Sequence, residues 1–524
     1  MAGDKKASEQ GAPADAQSRG GGRRGRQSQA RARKDVTAPY VDRRIGIFSI
    51  MSEEGLSLIE RNADTILQEV GMEFRGNPRL LRLLKDAGAD VKGERVRFER
   101  GMCRKIIQAT APREFTYHAR NPARSALFGG RAAIFGPCGG PPFVHDLDRG
   151  RRYATLEDCR NFERLCQSLD AIGTAGSAVC EPMDIDIPER HLHELYEQLV
   201  LTDKLAGGSV NAPERALDSI AMAKIVFGER FVEENAVLYC GLNTNSPLVF
   251  DDTMMAALEI YSAHNQPVLV SPYILSGAMG PVTIAGGLAQ QLAESLGGLV
   301  LTQLVRPGSP CVIGTFIGTV SMQTGSPTFG TPESLLGITA AAELGRRLGI
   351  PVNCAGGAVT SSKIPDAQAA YESTLTLTTT VLAGVNYIPH AAGWLEGGLT
   401  AGYEKMILDA DLCATLQLYC QNIDLSEEAQ ALEAVREVGP GGHYMGAAHT
   451  QRNFEKAFWR SATADSNTYE QWSADGSLDA ARRANAIWKK LLAEYQPPPI
   501  DPGIEEGLRD YRDRRIAEIR AGRP

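Results

Sequence analysis

Cysteine is sparse in this chain, ten residues in 524, and no C-x-x-C occurs. That excludes a disulfide framework and leaves small buried hydrophobes in a reducing compartment. The usual local signatures are missing as well. No G-x-G-x-x-G opens a helix after a strand, and there is no Walker A loop, H-E-x-x-H or G-x-S-x-G. The N-terminus has no apolar stretch of the kind a secretory signal needs. Residues 260–293 lack Asp, Glu, Lys and Arg, but Pro267, Pro272, Pro281, Gln290 and Gln291 break them up, which excludes a membrane span. The chain is therefore expected in the cytoplasm. Positive charge is short in the body: Lys and Arg total 55 against 63 Asp and Glu, and residues 1–34 alone carry a net +6, leaving −14 for the rest. Such a body is a poor partner for nucleic acid, whose phosphates require a basic face. His191 and His193 lie two apart, on different faces of a helix, so no metal site is expected there.

Residues 1–44 are rich in Gly, Ser, Ala and Arg and read as a disordered basic tail. A cap region is expected over 45–150. It opens with a helix in SEEGLSLIERNADTILQEVG, where Ser52 caps, Leu56, Ile59, Ala63, Ile66, Leu67 and Val70 share a face, and Gly71 stops the run. A second helix follows near 78–87, then β-rich sequence to 150. Between 151 and 425 short apolar runs at 171–177, 206–210, 236–243, 267–273, 310–316, 352–358 and 386–393 alternate with helical segments, including 283–305, 333–349 and 366–384. Residues 260–403 hold only ten charged side chains. Parallel strands covered on both faces give such runs. The pattern predicts an α/β fold, a (β/α)8 TIM-type barrel with an N-terminal helical/β cap, followed by a C-terminal helical region at 426–524.

Three charge-poor segments at expected strand ends are candidates for a site. In VNCAGGAVTSSKIPDAQ, Gly356 and Gly357 allow close backbone approach. Lys363 is either a Schiff-base nucleophile or a salt-bridge partner, and Asp366 either a functional acid or a helix N-cap. In NYIPHAAGWLEGGLTAGYE, His390 directly follows a strand, with a satisfied core histidine as the alternative. In GTFIGTVSMQTGSPTFGTP, the uncharged lining Phe316, Gln323 and Phe329 suits a cation held by aromatic faces, or equally packed core.

These stretches resemble a known family. GAMGPVTIAGGLAQQLAESLGGLVLTQLVRPGSP, the TGSPTFGTPE run, AGGAVTSSKIPDAQAAYESTLTLTTTVLAGVNYIPHAAGWLEGGLTAGYEK and VREVGPGGHYMGAAHT look like the trimethylamine methyltransferase family, as does the opening MSEEGLSLIERNADTILQEVGMEF. The likeness spans roughly 45–460. It implies a (β/α)8 barrel that moves a methyl group from an amine nitrogen to the cobalt of a cognate corrinoid protein, with no cofactor bound tightly by this chain itself. Founding members use pyrrolysine inside the barrel. This chain has only standard residues, and the equivalent place is expected near 354–366.

That departure turns the expectation toward quaternary amines. A methyl–nitrogen bond breaks easily when nitrogen leaves as a neutral amine, and a quaternary ammonium already carries the charge needed. Co(I) can then attack the methyl carbon in line, while the enzyme positions and desolvates. A glycine betaine-like substrate is expected; the alternatives are a tertiary methylamine of the trimethylamine type, a non-catalytic betaine-binding barrel, and a Lys363 Schiff-base lyase. On the resemblance, Phe316, Phe329, Tyr387 and Trp394 form an aromatic wall with Gln323 beside it, and His390 binds the betaine carboxylate. Glu396 and Asp366 stabilise the cation or orient His390. Gly356, Gly357 and Gly393 keep the mouth open for the corrinoid, and His443 contacts the corrinoid protein. A homo-oligomer is expected through the C-terminal helices.

Overall fold

The structure, a computed structural model, describes residues 39–354 and 356–522. The expected basic tail lies outside the described residues up to residue 38, and so does Ala355. Residues 424–460, which include His443, cluster as one unit and the remaining described residues as another. In the smaller unit, two short helices, Glu427–Gln430 and Leu432–Val438, precede an exposed loop in which His443 leads into the turn Tyr444–Gly446.

The larger unit is built on a curled parallel sheet. Its eight parallel strands are β1 (Ala132–Pro137), β2 (Thr174–Gly176), β3 (Leu205–Gly207), β4 (Leu238–Leu242), β5 (Val268–Val270), β6 (Cys311–Val320), β7 (Val352–Cys354) and β8 (Tyr387–Ala392). Each is followed by a main helix: α1 (Leu156–Ser168), α2 (Arg190–Leu201), α3 (Pro213–Phe227), α4 (Asp252–Ala263), α5 (Ile284–Val305), α6 (Pro332–Leu348), α7 (Ala367–Leu382) and α8 (Tyr403–Tyr419). Seven strands lie where the apolar runs place them. The eighth, β1, falls inside the segment assigned to the cap, because a hairpin at 143–153 separates it from its helix and gives the whole stretch a β-rich look.

Hydrogen bonding orders the sheet β1-β8-β7-β6-β5-β4-β3-β2, with the two-residue strand Val41–Asp42 added antiparallel outside β1. The ladder stays open between β1 and β2, so the closed barrel expected from the pattern is not reached as a continuous ladder. Two causes are visible. Val41 and Asp42 take the outer edge of β1 at Ala133 and Ala132, and β2 is only three residues long with a register shift at Thr174/Gly176. Single backbone bonds cross the gap below and above the strands, Gly173 N–H donating to Phe135 O at 2.9 Å and Gly140 N–H donating to Ala178 O at 2.9 Å.

The low charge of 260–403 has a structural cause beyond covered strands. Helix α5 is buried on nearly every face from Gly287 to Gln303, because the helices Glu53–Thr65 and Met102–Thr110 of the N-terminal segment pack on its outer side. In the first of these Ser52 caps and Leu56, Ile59, Ala63 and Leu67 face inward as expected, but the helix loosens into a π-turn at Ile66–Val70 and turns Val70 out to solvent. After α8 the chain adds α9 (Ala480–Ala493) and α10 (Pro502–Arg520), which pack on α8 and on α2 and α3 respectively. Among the described residues no helix is long and apolar enough to cross a membrane. All ten cysteines are buried and unpaired.

Candidate functional site

A cavity of about 440 Å³ opens at the C-terminal ends of the parallel strands. Every strand contributes at or just beyond its end: Gly139 and Gly140 after β1, Ser177 after β2, Ser209 after β3, Asn243 after β4, Ser271 after β5, Phe316 in β6, Asn353 in β7 and His390 in β8. Parallel strands present their free carbonyl ends and their loops on this side, so ligand sites collect there.

One wall is aromatic. Tyr273 lies against Phe316 with ring centroids 4.5 Å apart, because Tyr273–Ser276 pairs in register with the outer half of β6. Beyond Val320 the chain turns back, pairs Thr328 with Thr319, and brings Phe329 edge-on to Phe316 at 6.1 Å. Phe329 in turn meets Trp394 edge-on at 6.0 Å, and Trp394 lies 4.4 Å from the His390 ring. Two backbone features hold this end. His390 has φ 59°, which histidine tolerates better than most residues, and Gly357 lies so close to the His390 backbone that a Cβ would collide with it. Gly393, at φ 93°, makes the turn into Trp394 while its N–H donates to Asp409 at 2.9 Å.

Tyr387 sits elsewhere, on the cavity floor. Its hydroxyl donates to Tyr239 at 2.9 Å, within a cluster that also holds Tyr117 and Phe128, and burial pushes its pKa well up. Beside them Asn353 donates to Ser271 Oγ at 2.6 Å and leaves its own Oδ1 without a partner.

His390 lines the cavity and is half-buried there, and burial lowers its pKa to about 4. The imidazole is therefore neutral near pH 7, and it meets a carboxylate as a hydrogen-bond donor rather than as a cation. Its Nδ1 and the Trp394 indole N–H are both unpartnered. The unfolded chain binds a proton at His390 near pH 6.5, before the folded protein does, so stability falls as pH drops from 6.5 toward 4. His390→Asn, which keeps a residue tolerant of the left-handed backbone, is expected to make that fall in Tm shallower; an unchanged Tm–pH slope would refute the assignment.

The remaining sequence candidates lie outside the cavity lining. Gln323 is exposed in the turn beyond β6. Asp366 caps α7, accepting from Ala369 N–H at 2.9 Å and from Ser362 at 2.8 Å, so the N-cap reading holds. Glu396 accepts from Thr400 at 2.6 Å and Arg151 at 2.7 Å, and though burial opposes it these bonds keep its pKa below the ordinary value. Lys363 is exposed and donates to Ser361 O. Gly356 packs on Thr380 and Ile338, and Gly393 on Cys138 and Met406, so these glycines and Gly357 serve wall packing rather than an open mouth.

The opposite side of the site carries residues the sequence reading passed over, Glu181 and Glu194. Burial and the neighbouring Glu181 raise Glu194 to about 8, and burial raises Glu181 as well. A signal was available: His191, Leu195 and Gln198 recur at helical spacing on the buried face of α2, and Glu194, half-buried, falls at the same spacing. Among the described residues no group of three His, Cys, Asp or Glu is placed to hold a metal.

A curled parallel α/β sheet with a small-molecule cavity over its strand ends defines an enzyme class built on βα loops. Within that class, a family model described as trimethylamine methyltransferase matches residues 19–520, and the chain belongs to this methyltransferase family. A glycine betaine methyltransferase of Desulfitobacterium hafniense strain Y51 is 36% identical over 90% of this chain and 98% of its own length. A proline betaine:corrinoid methyltransferase of Eubacterium limosum is 28% identical over 90% and 98%. A trimethylamine methyltransferase of D. hafniense strain DSM 10664 / DCB-2 is 28% identical over 87% and 92%.

Proposed function

We propose that this chain transfers a methyl group from a small quaternary amine of the glycine betaine type to the Co(I) of a corrinoid carried by a separate protein. The observation that carries the reading is the set of aromatic rings Tyr273, Phe316 and Trp394 along a cavity with no lysine or arginine among its lining residues, with Phe329 packed behind Phe316 and Trp394. A quaternary ammonium has no N–H to donate, so it is recognised by π-faces and by negative potential, and both are present. The 36% identity to a glycine betaine methyltransferase supports the same substrate class. Ten buried, unpaired cysteines support a reducing, cytoplasmic setting.

The corrinoid supplies the nucleophile. A cavity of about 440 Å³ suits a small molecule and leaves no room for a macrocycle beside it, so the acceptor must come to the mouth. Gly140, where a Cβ would meet nothing within 4 Å, offers it an open backbone rim. This chain's own residues bind and orient. Phe316, Trp394 and Tyr273 desolvate the N-methyl groups, and Phe329 backs both Phe316 and Trp394. His390 and the Trp394 indole N–H are neutral donors for the substrate carboxylate. The buried Tyr239–Tyr387 floor excludes water, which keeps the methyl carbon for the corrinoid. The Schiff-base reading finds no support, since Lys363 is exposed and absent from the lining.

The test is anaerobic. The protein is mixed with a corrinoid protein held as Co(I) and a panel of betaines and methylamines, and corrinoid absorbance is followed. Methylation with one quaternary amine is the expected result. Methylation with trimethylamine alone would overturn the substrate class, and a betaine that stabilises the fold but never methylates cobalt would make this a binding protein.

A further inference from the structure

Asn353 stands in β7, 4% exposed, and lines the cavity together with Ser271, which directly follows β5. Strand β6 runs between them, yet Asn353 Nδ2 donates to Ser271 Oγ at 2.6 Å. The bond spans β6 at Gly314, the residue in register with Asn353. A Cβ on Gly314 would collide with Ser271 Oγ, so the two side chains meet there only because a glycine lies beneath them. From α5, Gln291 and Ser295 donate to Gly314 O at 3.0 and 3.3 Å and fix this point of β6. Depth follows from the two-residue period of a strand. Val312, Gly314 and Phe316 share one face of β6 in steps of about 6–7 Å. Val312 belongs to the apolar floor with Leu269, Tyr239 and Tyr387, and Phe316 to the aromatic side. The Asn353–Ser271 bridge is therefore the layer between floor and rings. With Nδ2 committed to Ser271, Asn353 Oδ1 is left as a buried acceptor without a partner. Such an atom costs stability unless a ligand or a water meets it, and no lysine or arginine lines the cavity to do so.

Resting on the quaternary-amine reading, we propose that Asn353 determines specificity for the cation: its Oδ1 accepts the N-methyl C–H groups from beneath, while the Ser271 hydroxyl, reached over Gly314, holds the amide in that orientation. A quaternary ammonium has no N–H, but it spreads its charge over the hydrogens of its methyl groups and makes them weak donors to oxygen. The rings above supply π-faces to the same groups. A carbon centre of the same shape fills the space equally well, yet its methyl hydrogens carry almost no charge, so the oxygen gains nothing from it. The amide thus reads charge where the rings and the floor read shape. Ser271 is a positioning residue. Without its oxygen the amide is free to turn and present N–H, which repels the cation.

Calorimetry of the full chain tests this with glycine betaine and with 3,3-dimethylbutanoate, the isostere in which carbon replaces nitrogen. The native protein is expected to prefer the betaine. Asn353→Leu and Ser271→Ala should each narrow that ratio of Kd values by about fivefold or more, the worth of one or two C–H···O contacts. A general loosening of the cavity weakens both ligands alike and leaves the ratio unmoved. Should Asn353→Leu fail to fold in a melting experiment, Ser271→Ala, which removes a single oxygen, carries the test. A native ratio in the folded variants overturns the assignment and leaves the aromatic cavity standing. A ratio that widens means that the amide presents N–H to the cation, and overturns it too. Narrowing in Asn353→Leu alone overturns the role of Ser271. A native protein that binds both ligands equally, and methylates cobalt with no quaternary amine, overturns the underlying reading as well.

Discussion

Lys405→Met is expected to destabilise the protein by about 3–5 kcal/mol, since it strands a buried carboxylate. Lys405 and Asp409 are 2% and 5% exposed, and the ammonium lies 2.5 and 2.6 Å from the two carboxylate oxygens. The same ammonium donates to Ala358 O and Ser373 Oγ, which ties α8 to α7 and to the loop after β7. Burial lifts Asp409 to about 6 even beside the lysine, a measure of how costly that carboxylate is once unpaired. Urea denaturation checks the loss. Adding Asp409→Leu to Lys405→Met should recover much of the stability, because an apolar pair replaces an ionic one. Activity should stay low in the double variant, since Asp409 also accepts from Gly393 N–H and thereby fixes the turn that presents Trp394. Full recovery of activity would show that this turn does not depend on the pair.

Trp394→Ala should lower kcat/KM by about 30-fold or more, and Trp394→Phe far less. A desolvated cation–π contact is worth about 2 kcal/mol, and 1.36 kcal/mol is tenfold in rate. The ring is 7% exposed and touches both Phe329 and His390, so its removal also loosens the arc. The methylation assay with the preferred betaine reads the effect, with a melting curve to confirm that the variant is folded. Unchanged kcat/KM in folded Trp394→Ala would take the aromatic arc out of substrate recognition.

Much of the site's aromatic side was legible before any coordinates. Phe316, Phe329, His390 and Trp394 stood out because they break charge-poor, strand-terminating segments, and the fold brings these four together. Tyr273 escaped notice, since its neighbour Phe316 is 43 residues away and only strand register pairs them. Charged residues were read less well. Asp366 and Glu396 seemed available because they are rare charges near strand ends, yet Asp366 serves its own helix and Glu396 is taken by Arg151, 245 residues distant. Glu181, in a loop, carries no local mark that tells a solvated acid from one turned inward, whereas Glu194 is marked only by its helical spacing with His191, Leu195 and Gln198.

The sequence by itself determined the elements. Hydrophobic period, glycine stops and capping residues act within a few residues of each other, so seven of the strands, helix α5 and the Ser52 cap could be read directly. Tertiary structure alone decided partnership: that the ladder stays open between β1 and β2, that the N-terminal helices rather than solvent cover α5, and that Glu181 and Glu194 line the same cavity as Tyr273, Phe316 and Trp394. Those outcomes depend on which distant groups meet in a low-dielectric interior, where desolvation and pairing set charge state, and no local pattern in the chain encodes the meeting.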